Sequence, residues 1–456
     1  MNKLEWVTDA VFYHIYPLGC FGAPETNNFS APASPRLEQL LAWVPYLRNL
    51  GVNALYLGPV FQSSRHGYDT ADLFQVDCRL GTNRLLAKVT AALAENGIKV
   101  VLDAVFHHVG RNFWAFRDVL VNGTKSSYQD WFHLDFTKRS PFGDPFAYQS
   151  WNGNFDLVKL NVHNPEVKRH LLEAVAFWID NFSINGLRLD VADALDRVFQ
   201  QELAAFCKLR RPDFWLVGEV VHGDYRRWAC PGVLDSVTNY ELYKGLWSSH
   251  NDANYFEVAY SLNREFGQGG IYRDLLLYNF ADNHDVERVA TMLHQPAHLY
   301  PLYALLLTCP GIPSIYYASE WGMEGRKTQD SDVSLRPTVQ PEELSKASAH
   351  SPLYSAICRF IKLRHQFPAL RLGGYRQLLV QHQQFAFERS LPNQQIVVVV
   401  NAAPEETESR IPVGAGEGTI FCDHLDNGRE FKVQGGYLQL PLNPNWARVL
   451  EQIPIK

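Results

Sequence analysis

No stretch of the chain approaches the roughly 18 consecutive apolar residues of a membrane span. The N-terminus, MNKLEWVTDAVFYHIYP, is broken by Glu5 and Asp9 before an apolar run of signal-peptide length can form. Cysteine is scarce, seven in 456 residues, and no two stand in a CxxC pair. An odd number in so long a chain reads as reduced, mostly buried thiols. Excess positive charge is also missing: 42 basic against 48 acidic residues give a net charge of −6. No overall basic surface therefore recruits nucleic acid or anionic lipid. No repeat or low-complexity segment stands out. These absences point to the cytoplasm, with neither nucleic acid nor a membrane as partner.

Aromatic residues are plentiful, with 11 Trp, 21 Tyr and 27 Phe. Most must be core, yet flat apolar faces are also what a sugar-binding cleft stacks on pyranose rings. The 46% hydrophobic and 20% charged content is that of a soluble globular protein with a sizeable core. The length suits one large barrel with an appended domain, or two to three domains.

Short apolar strands alternate with amphipathic helices for most of the chain. Strands are expected at Val11–Tyr16, Ala54–Leu57, Val100–Val105, Gly186–Asp190, Phe214–Gly218, Leu234–Val237, Leu277–Phe280 and Ser314–Tyr317. Helical patterns fall at Leu37–Leu50, Thr82–Asn96, Pro165–Phe182, Leu195–Leu209 and Leu299–Leu307. The pattern at Pro165 is the best defined: Asn164 suits the cap, Pro165 the first turn, and Val167, Leu171, Val175, Trp178 and Phe182 one face. Eight strands, each followed by helical sequence, make an α/β chain with a (β/α)8 TIM barrel over residues 1–106 and 165–370. Residues 107–164, rich in Gly, Asn, Ser and aromatics, are too long for an ordinary loop and read as a small domain inserted after strand three. Beyond 370 the alternating segments and the turns LPNQ, DNGR and QGGY predict a C-terminal antiparallel β-sandwich at 371–456.

The stretch GLRLDVADALD at 186–196 sets Leu187 and Leu189 on one face of a strand, and Arg188 and Asp190 on the other. A structural ion pair would explain one such strand end. Strand three, however, ends with Asp103, His107 and His108, strand five with Glu219 and His222, and strand seven with His284 and Asp285. In this barrel the chemistry gathers at the C-terminal strand ends, and four strands deliver acids and histidines to one rim. Retaining glycoside hydrolysis needs such a set: a carboxylate nucleophile, a second carboxyl kept protonated, and a third to offset charge on the sugar ring.

The motifs resemble, in order, those of the α-amylase family of glycoside hydrolases. GVNALYLGPVF resembles its second strand, HGYDT the following loop, and DAVFHH, GLRLDVAD, LVGEVVH and FADNHD its four central blocks. GIPSIYYASEWGM resembles the eighth strand and its loop. The resemblance implies Asp190 as nucleophile, Glu219 as general acid/base and Asp285 as the carboxylate that binds sugar hydroxyls. Arg188 would hold the nucleophile, Tyr68 would stack under the sugar, and His108 and His284 would bond its hydroxyls. Asp103, His222, Asp332 and Arg336 complete the expected substrate-binding set, with Asp330 beside them. For His222 a supporting role behind the site is an equal alternative, and for Asp69 a structural one. Trp151 and Phe155 are read as packing within the insertion, with sugar stacking as the alternative.

LVKLN at 157–161 resembles the neopullulanase and cyclomaltodextrinase branch. The insertion would be the family's domain B and the β segment its domain C. The branch implies cleavage of α-1,4 bonds in maltooligosaccharides, cyclodextrins or starch-type glucans, often with transglycosylation. An α-1,6-acting or short-α-glucoside-specific member is the alternative. His107 stands where true α-amylases have an asparagine linked to calcium, so no metal is expected to be required, with calcium left open. Asp193, Ala194 and Val221 depart from the branch pattern near the acceptor side. The branch also begins with an extra β domain that supports dimerisation; with the first strand near Val11, a more open cleft is expected and the oligomeric state is not set. Two other readings compete. Asp103, His107, His108, His284 and Asp285 could ligate a metal in a TIM-barrel hydrolase, although adjacent histidines at a strand end point opposite ways. A scaffold protein that had lost its chemistry would be expected to lack one of the three carboxylates.

Overall fold

The computed structural model describes residues 5–328 and 331–453. Eight short parallel strands form one sheet: β1 (Phe12–Ile15), β2 (Ala54–Leu57), β3 (Lys99–Ala104), β4 (Gly186–Leu189), β5 (Trp215–Gly218), β6 (Ser236–Val237), β7 (Tyr278–Phe280) and β8 (Ile312–Tyr316). Their order is β6-β5-β4-β3-β2-β1-β8-β7. A parallel bridge between Thr238, one residue past β6, and Tyr278 of β7 closes the sheet into a barrel. Strand β2 and the helix Pro165–Phe182 have the bounds expected from the sequence. The other seven strands fall within two residues of expectation at each end.

The two-residue alternation of each strand divides its side chains between two cores. Leu55, Leu57, Val100, Leu102, Leu187 and Leu189 turn outward and pack against the helices. Phe12, Ala54, Tyr56, Val101, Trp215, Val217, Tyr278 and Ile312 turn inward and fill the barrel. The same inward row carries Asp103 on β3 and Arg188 on β4. On Pro165–Phe182, the Asn164 side chain accepts the Glu166 N–H at 2.8 Å, which caps the helix. Its buried face includes Trp178, which stacks on Phe61 with ring centroids 4.3 Å apart and donates its indole N–H to the Leu73 carbonyl at 2.7 Å.

The sequence pattern did not announce the helices Tyr240–Asn251 and Tyr255–Phe266. Their apolar stripes are interrupted by Gly, Ser and Asn, which blurs the helical period. Gly245 serves the pair, because a Cβ there would lie 3.4 Å from the Val258 backbone where the two helices touch.

Between β3 and Pro165 the chain forms a helix (Trp114–Asn122) and two small antiparallel sheets. One pairs His108–Gly110 with Asn154–Lys159 and Ser150–Trp151; the other pairs Leu134–Asp135 with Ala147–Tyr148. At the C-terminal end, a six-stranded antiparallel sheet faces the two-stranded ribbon of Thr407–Pro412 and Tyr437–Leu442. Its strand Gln394–Asn401 is buried on both sides: Val397 and Val399 face the ribbon, while Ile396, Val398 and Val400 face the barrel. No described helix is long and apolar enough to cross a membrane.

Trp178 joins the helix to the β2 loop through both stacking and a buried hydrogen bond. Trp178→Ala is expected to cost about 3–5 kcal/mol of stability, read by denaturant unfolding; a loss below about 1 kcal/mol would contradict this role.

Candidate active site

At the C-terminal end of the barrel lies a cleft of about 1270 Å³, walled by loops from several strands. Arg188 sits beneath its floor, 5% exposed, and its guanidinium reaches three carboxylates. Nη1 donates to Asp190 Oδ1 at 2.7 Å and to Asp103 Oδ1 at 3.0 Å; Nη2 pairs with Glu219 Oε1 at 2.9 Å. Asp103 is satisfied further by the hydroxyls of Tyr56 at 2.6 Å and Tyr68 at 2.9 Å.

The chain turns sharply after Asp190. Val191 adopts φ 49°, a left-handed conformation that a β-branched residue rarely takes and that costs of order 1–3 kcal/mol. The turn aims the Val191 N–H at Glu219 Oε2, 3.1 Å away. Glu219 is thus gripped by Arg188 through one oxygen and by this backbone N–H through the other.

Asp285 lies across the cleft. Arg336 Nη2 donates to its Oδ1 at 3.1 Å, and His284 Nε2 stands 2.9 Å from its Oδ2. Asn283 accepts the Asp285 N–H at 2.8 Å and so sets the loop. Arg336 also donates to the His284 carbonyl at 3.0 Å, meets Asp332 Oδ2 at 3.3 Å and lies over the Tyr16 ring. Tyr16 and Tyr68 both lie nearly parallel to the His284 ring, and its Nε2 meets the Tyr68 hydroxyl.

The electrostatics separate the three acids. Burial raises the proton affinity of Asp190, with Glu219 and Asp103 adding to it and Arg188 opposing. Burial also raises Glu219, helped by the charge of Asp285 and opposed by Arg188. Because they lie close together, these two titrate as a pair, which burial raises above the ordinary carboxylate range against the pull of Arg188. Burial pushes Asp285 upward as well, but His284 and Arg336 outweigh it and hold this carboxyl well below its usual value. Burial lowers His108 to about 3, so its imidazole is neutral. Its Nε2 has no hydrogen-bond partner and stands 3.9 Å from Asp190 Oδ2.

The expected residues thus fall into separate layers. Tyr68, His108, Asp190, Glu219, Asp285, Asp332 and Arg336 line the cleft. Asp103, Arg188 and His284 form the layer beneath it. Asp103, expected among the substrate-binding residues, is buried, and Arg188, Tyr56 and Tyr68 engage its carboxylate. His222 is exposed, whereas its neighbour Val221 lines the cleft. Asp69 lines the cleft and accepts the His66 N–H at 3.1 Å, which shapes the loop that presents Tyr68. A Cβ on Gly110 would lie 2.3 Å from the Asp69 carbonyl, so glycine there lets the insertion dock on that loop. Trp151 belongs to the wall, stacked near His108, whereas Phe155 packs on Tyr148. Asp330 lies outside the described residues.

Tyr16, Tyr56, Asn283 and the loop after β1 were missed. Tyr56 was discoverable, since it shares the inward face of β2; the others depend on loop conformation. His107 does not suit calcium, which takes oxygen ligands: its ring lies edge-on to Trp151 and its Nδ1 faces that of His108. Among the described residues, no group of three or more His, Cys, Asp or Glu is placed to hold a metal ion.

A parallel barrel with carboxylates gathered at its strand ends, an inserted segment after β3 and a C-terminal all-β domain is the architecture of the α-amylase glycosidases. The family model for the alpha amylase catalytic domain matches residues 37–356, and that for the alpha amylase C-terminal all-beta domain matches residues 379–451. The chain is 32% identical to a cyclomaltodextrinase of Geobacillus thermopakistaniensis, covering 96% of this chain and 76% of the relative. It is 32% identical to neopullulanase 2 of Thermoactinomyces vulgaris, covering 98% and 78%. A solved cyclomaltodextrinase superposes with a TM-score of 0.87 at 29% identity, covering 99% of this chain and 79% of that one. The cyclic alpha-maltosyl-(1→6)-maltose hydrolase of Arthrobacter globiformis superposes with a TM-score of 0.82 at 26% identity, covering 98% and 100%. The chain belongs to the α-amylase family, as a glycosidase of the cyclomaltodextrinase and neopullulanase type.

Lysine cannot reproduce the fork by which Arg188 serves three carboxylates. Arg188→Lys is expected to lower kcat by about 100-fold or more, with circular dichroism unchanged. Activity within about threefold of the parent, in steady-state assays, would show that the shared guanidinium is dispensable.

Proposed function

We propose that the chain is a retaining glycosidase that cleaves α-1,4-glucosidic bonds of maltooligosaccharides, cyclodextrins or starch-type glucans by double displacement, with transglycosylation as a side reaction. The observation that carries this reading is the sharing of Arg188 by Asp190 and Glu219. One planar guanidinium keeps the two carboxyls at close range, in keeping with the ~5–5.5 Å spacing of retaining enzymes rather than the wider gap that admits a water between them.

In this mechanism Asp190 attacks the anomeric carbon while Glu219 gives its proton to the departing glycosidic oxygen. The pair's proton belongs on Glu219, because Asp190 accepts the shorter hydrogen bond from Arg188 and Asp285 repels a charge on Glu219. Glu219, now ionised, takes a proton from water, whose oxygen displaces Asp190 from the sugar. An acceptor sugar hydroxyl in place of water gives transfer. Asp285, held ionised, binds hydroxyls of the ring and offsets the charge that grows on it. His108, neutral and with a free ring nitrogen, bonds a hydroxyl, and Tyr68 offers its ring face to the sugar. Every step runs on the chain's own groups and needs no cofactor. Seven free cysteines suit the cytoplasm.

A second reading, an α-1,6-acting or short-α-glucoside-specific enzyme, draws on the likeness to the Arthrobacter hydrolase. Initial rates on a cyclodextrin, soluble starch, and an α-1,6-linked oligosaccharide, with products resolved by chromatography, separate the two. Preferred release of maltose and glucose from the cyclodextrin supports the first; preferred cleavage of the branched sugar supports the second and removes the first.

Glu219→Gln is expected to lower kcat by about 10²–10⁴-fold, and Asp190→Asn by at least as much, with folded spectra intact. Retained turnover in both variants would end the proposal. The active pair carries one proton, and burial raises both carboxyls, so loss of that proton lies above the ordinary glutamate value of about 4.3. The alkaline limb of kcat/KM is therefore expected above that value; a limb at about 4.3 would contradict the assignment.

A further inference from the structure

One wall of the cleft has no part in this chemistry. The loop after β1 brings Glu25, Asn27 and Phe29 to it, and the loop after β2 brings Arg65. Both loops hang from a single buried side chain. Arg79, 4% exposed, directs Nη1 to the carbonyls of Pro24 at 3.0 Å, Glu25 at 2.9 Å and Arg65 at 2.7 Å. Its Nε and Nη2 are held by the buried Asp77 carboxylate at 2.9 and 2.8 Å. Asn27 adds two bonds across the loops, from its N–H to the Ser64 carbonyl at 2.8 Å and from its amide to the Ser63 carbonyl at 2.7 Å.

A buried ion pair is costly to desolvate and is weak evidence of stabilisation. Here it sets the spacing of two surface loops, and so the place where the Glu25 and Arg65 side chains meet at 2.7 Å on the cleft rim. That rim pair is exposed and adds little stability of its own. Phe29, in the same wall, is 40% exposed instead of buried. A guanidinium and a carboxylate held side by side suit the vicinal hydroxyls of a pyranose, and an aromatic face suits its C–H surface. The cleft volume also exceeds the roughly 300–1,000 Å³ of a site for one small ligand.

We propose that Glu25, Arg65 and Phe29 form an outer glucose-binding position, which takes a sugar unit of a longer α-glucan away from the bond being cleaved. The proposal rests on the reading of the substrate given above. A long oligosaccharide gains contacts there that a short one cannot reach.

The test titrates the full-length Glu219→Gln enzyme calorimetrically with maltotriose and maltoheptaose, then repeats both titrations after Glu25→Ala/Arg65→Ala and after Phe29→Ala. Maltoheptaose is expected to bind more tightly than maltotriose. Each change is expected to weaken maltoheptaose by about tenfold while leaving maltotriose within about twofold. Equal weakening of both sugars, no weakening, or no binding of either sugar would overturn the proposal. The substrate reading fails separately: the unmodified enzyme would then leave both sugars uncleaved, while a length-dependent gain lost in the rim variants would still support the outer position.

Discussion

Three carboxylates buried at one end of a barrel repel one another unless a cation stands among them. Arg188 is that cation, and its place follows from β4: with Leu187 and Leu189 packed outward on the helices, residue 188 has to point inward. Asp103 on β3 anchors the guanidinium from one side, and Asp190 and Glu219 meet it from the others. An uncompensated charge among these groups would cost far more than any local adjustment. The spacing of Asp190 and Glu219 is therefore set by the packing of the barrel, with the strained Val191 turn as its local expense.

The fold was legible because its signals are periodic. Two-residue alternation marked the barrel strands to within two residues, and the capped helix at Pro165 had every expected element of its first turn. The eightfold strand count and the C-terminal run of alternating segments then defined the architecture. Tyr240–Asn251 escaped because its stripe is diluted by Gly245 and by small polar residues whose positions are chosen by the neighbouring helix.

The site was legible in its residues and less so in its layers. Motifs located Asp190, Glu219 and Asp285, but whether a side chain lines the cleft or supports it from below depends on neighbours far away in the chain. Asp103 looked like a contact residue until Tyr56 and Tyr68 filled its lone pairs. His222 follows Glu219 by three positions and is exposed, whereas Val221 beside it lines the cleft. The wall built by Glu25, Asn27 and Phe29 carried no signal at all, since its conformation is dictated by Arg79, more than fifty residues on. Local patterns report what a strand must bury; they do not report which distant carbonyl an arginine will find.

The strand Gln394–Asn401 is apolar toward both its neighbours; the Arg389 guanidinium reinforces that joint, and Arg364 braces the barrel side of it. Arg364 donates to the carbonyls of Leu307, Leu370 and Gly311, and Arg389 to those of Thr308, Leu370 and Gly373. These carbonyls lie around β8 and on the segment leading into the C-terminal sheet. Prising the β domain away would uncover one apolar face and pull Arg389 from the carbonyls of Thr308 and Leu370. The seam is thus unsuited to hinge motion, and the β domain acts as a fixed buttress behind the barrel rather than a detachable module. A shortened enzyme ending near residue 370 would inherit a wound in its wall, not a smaller working molecule.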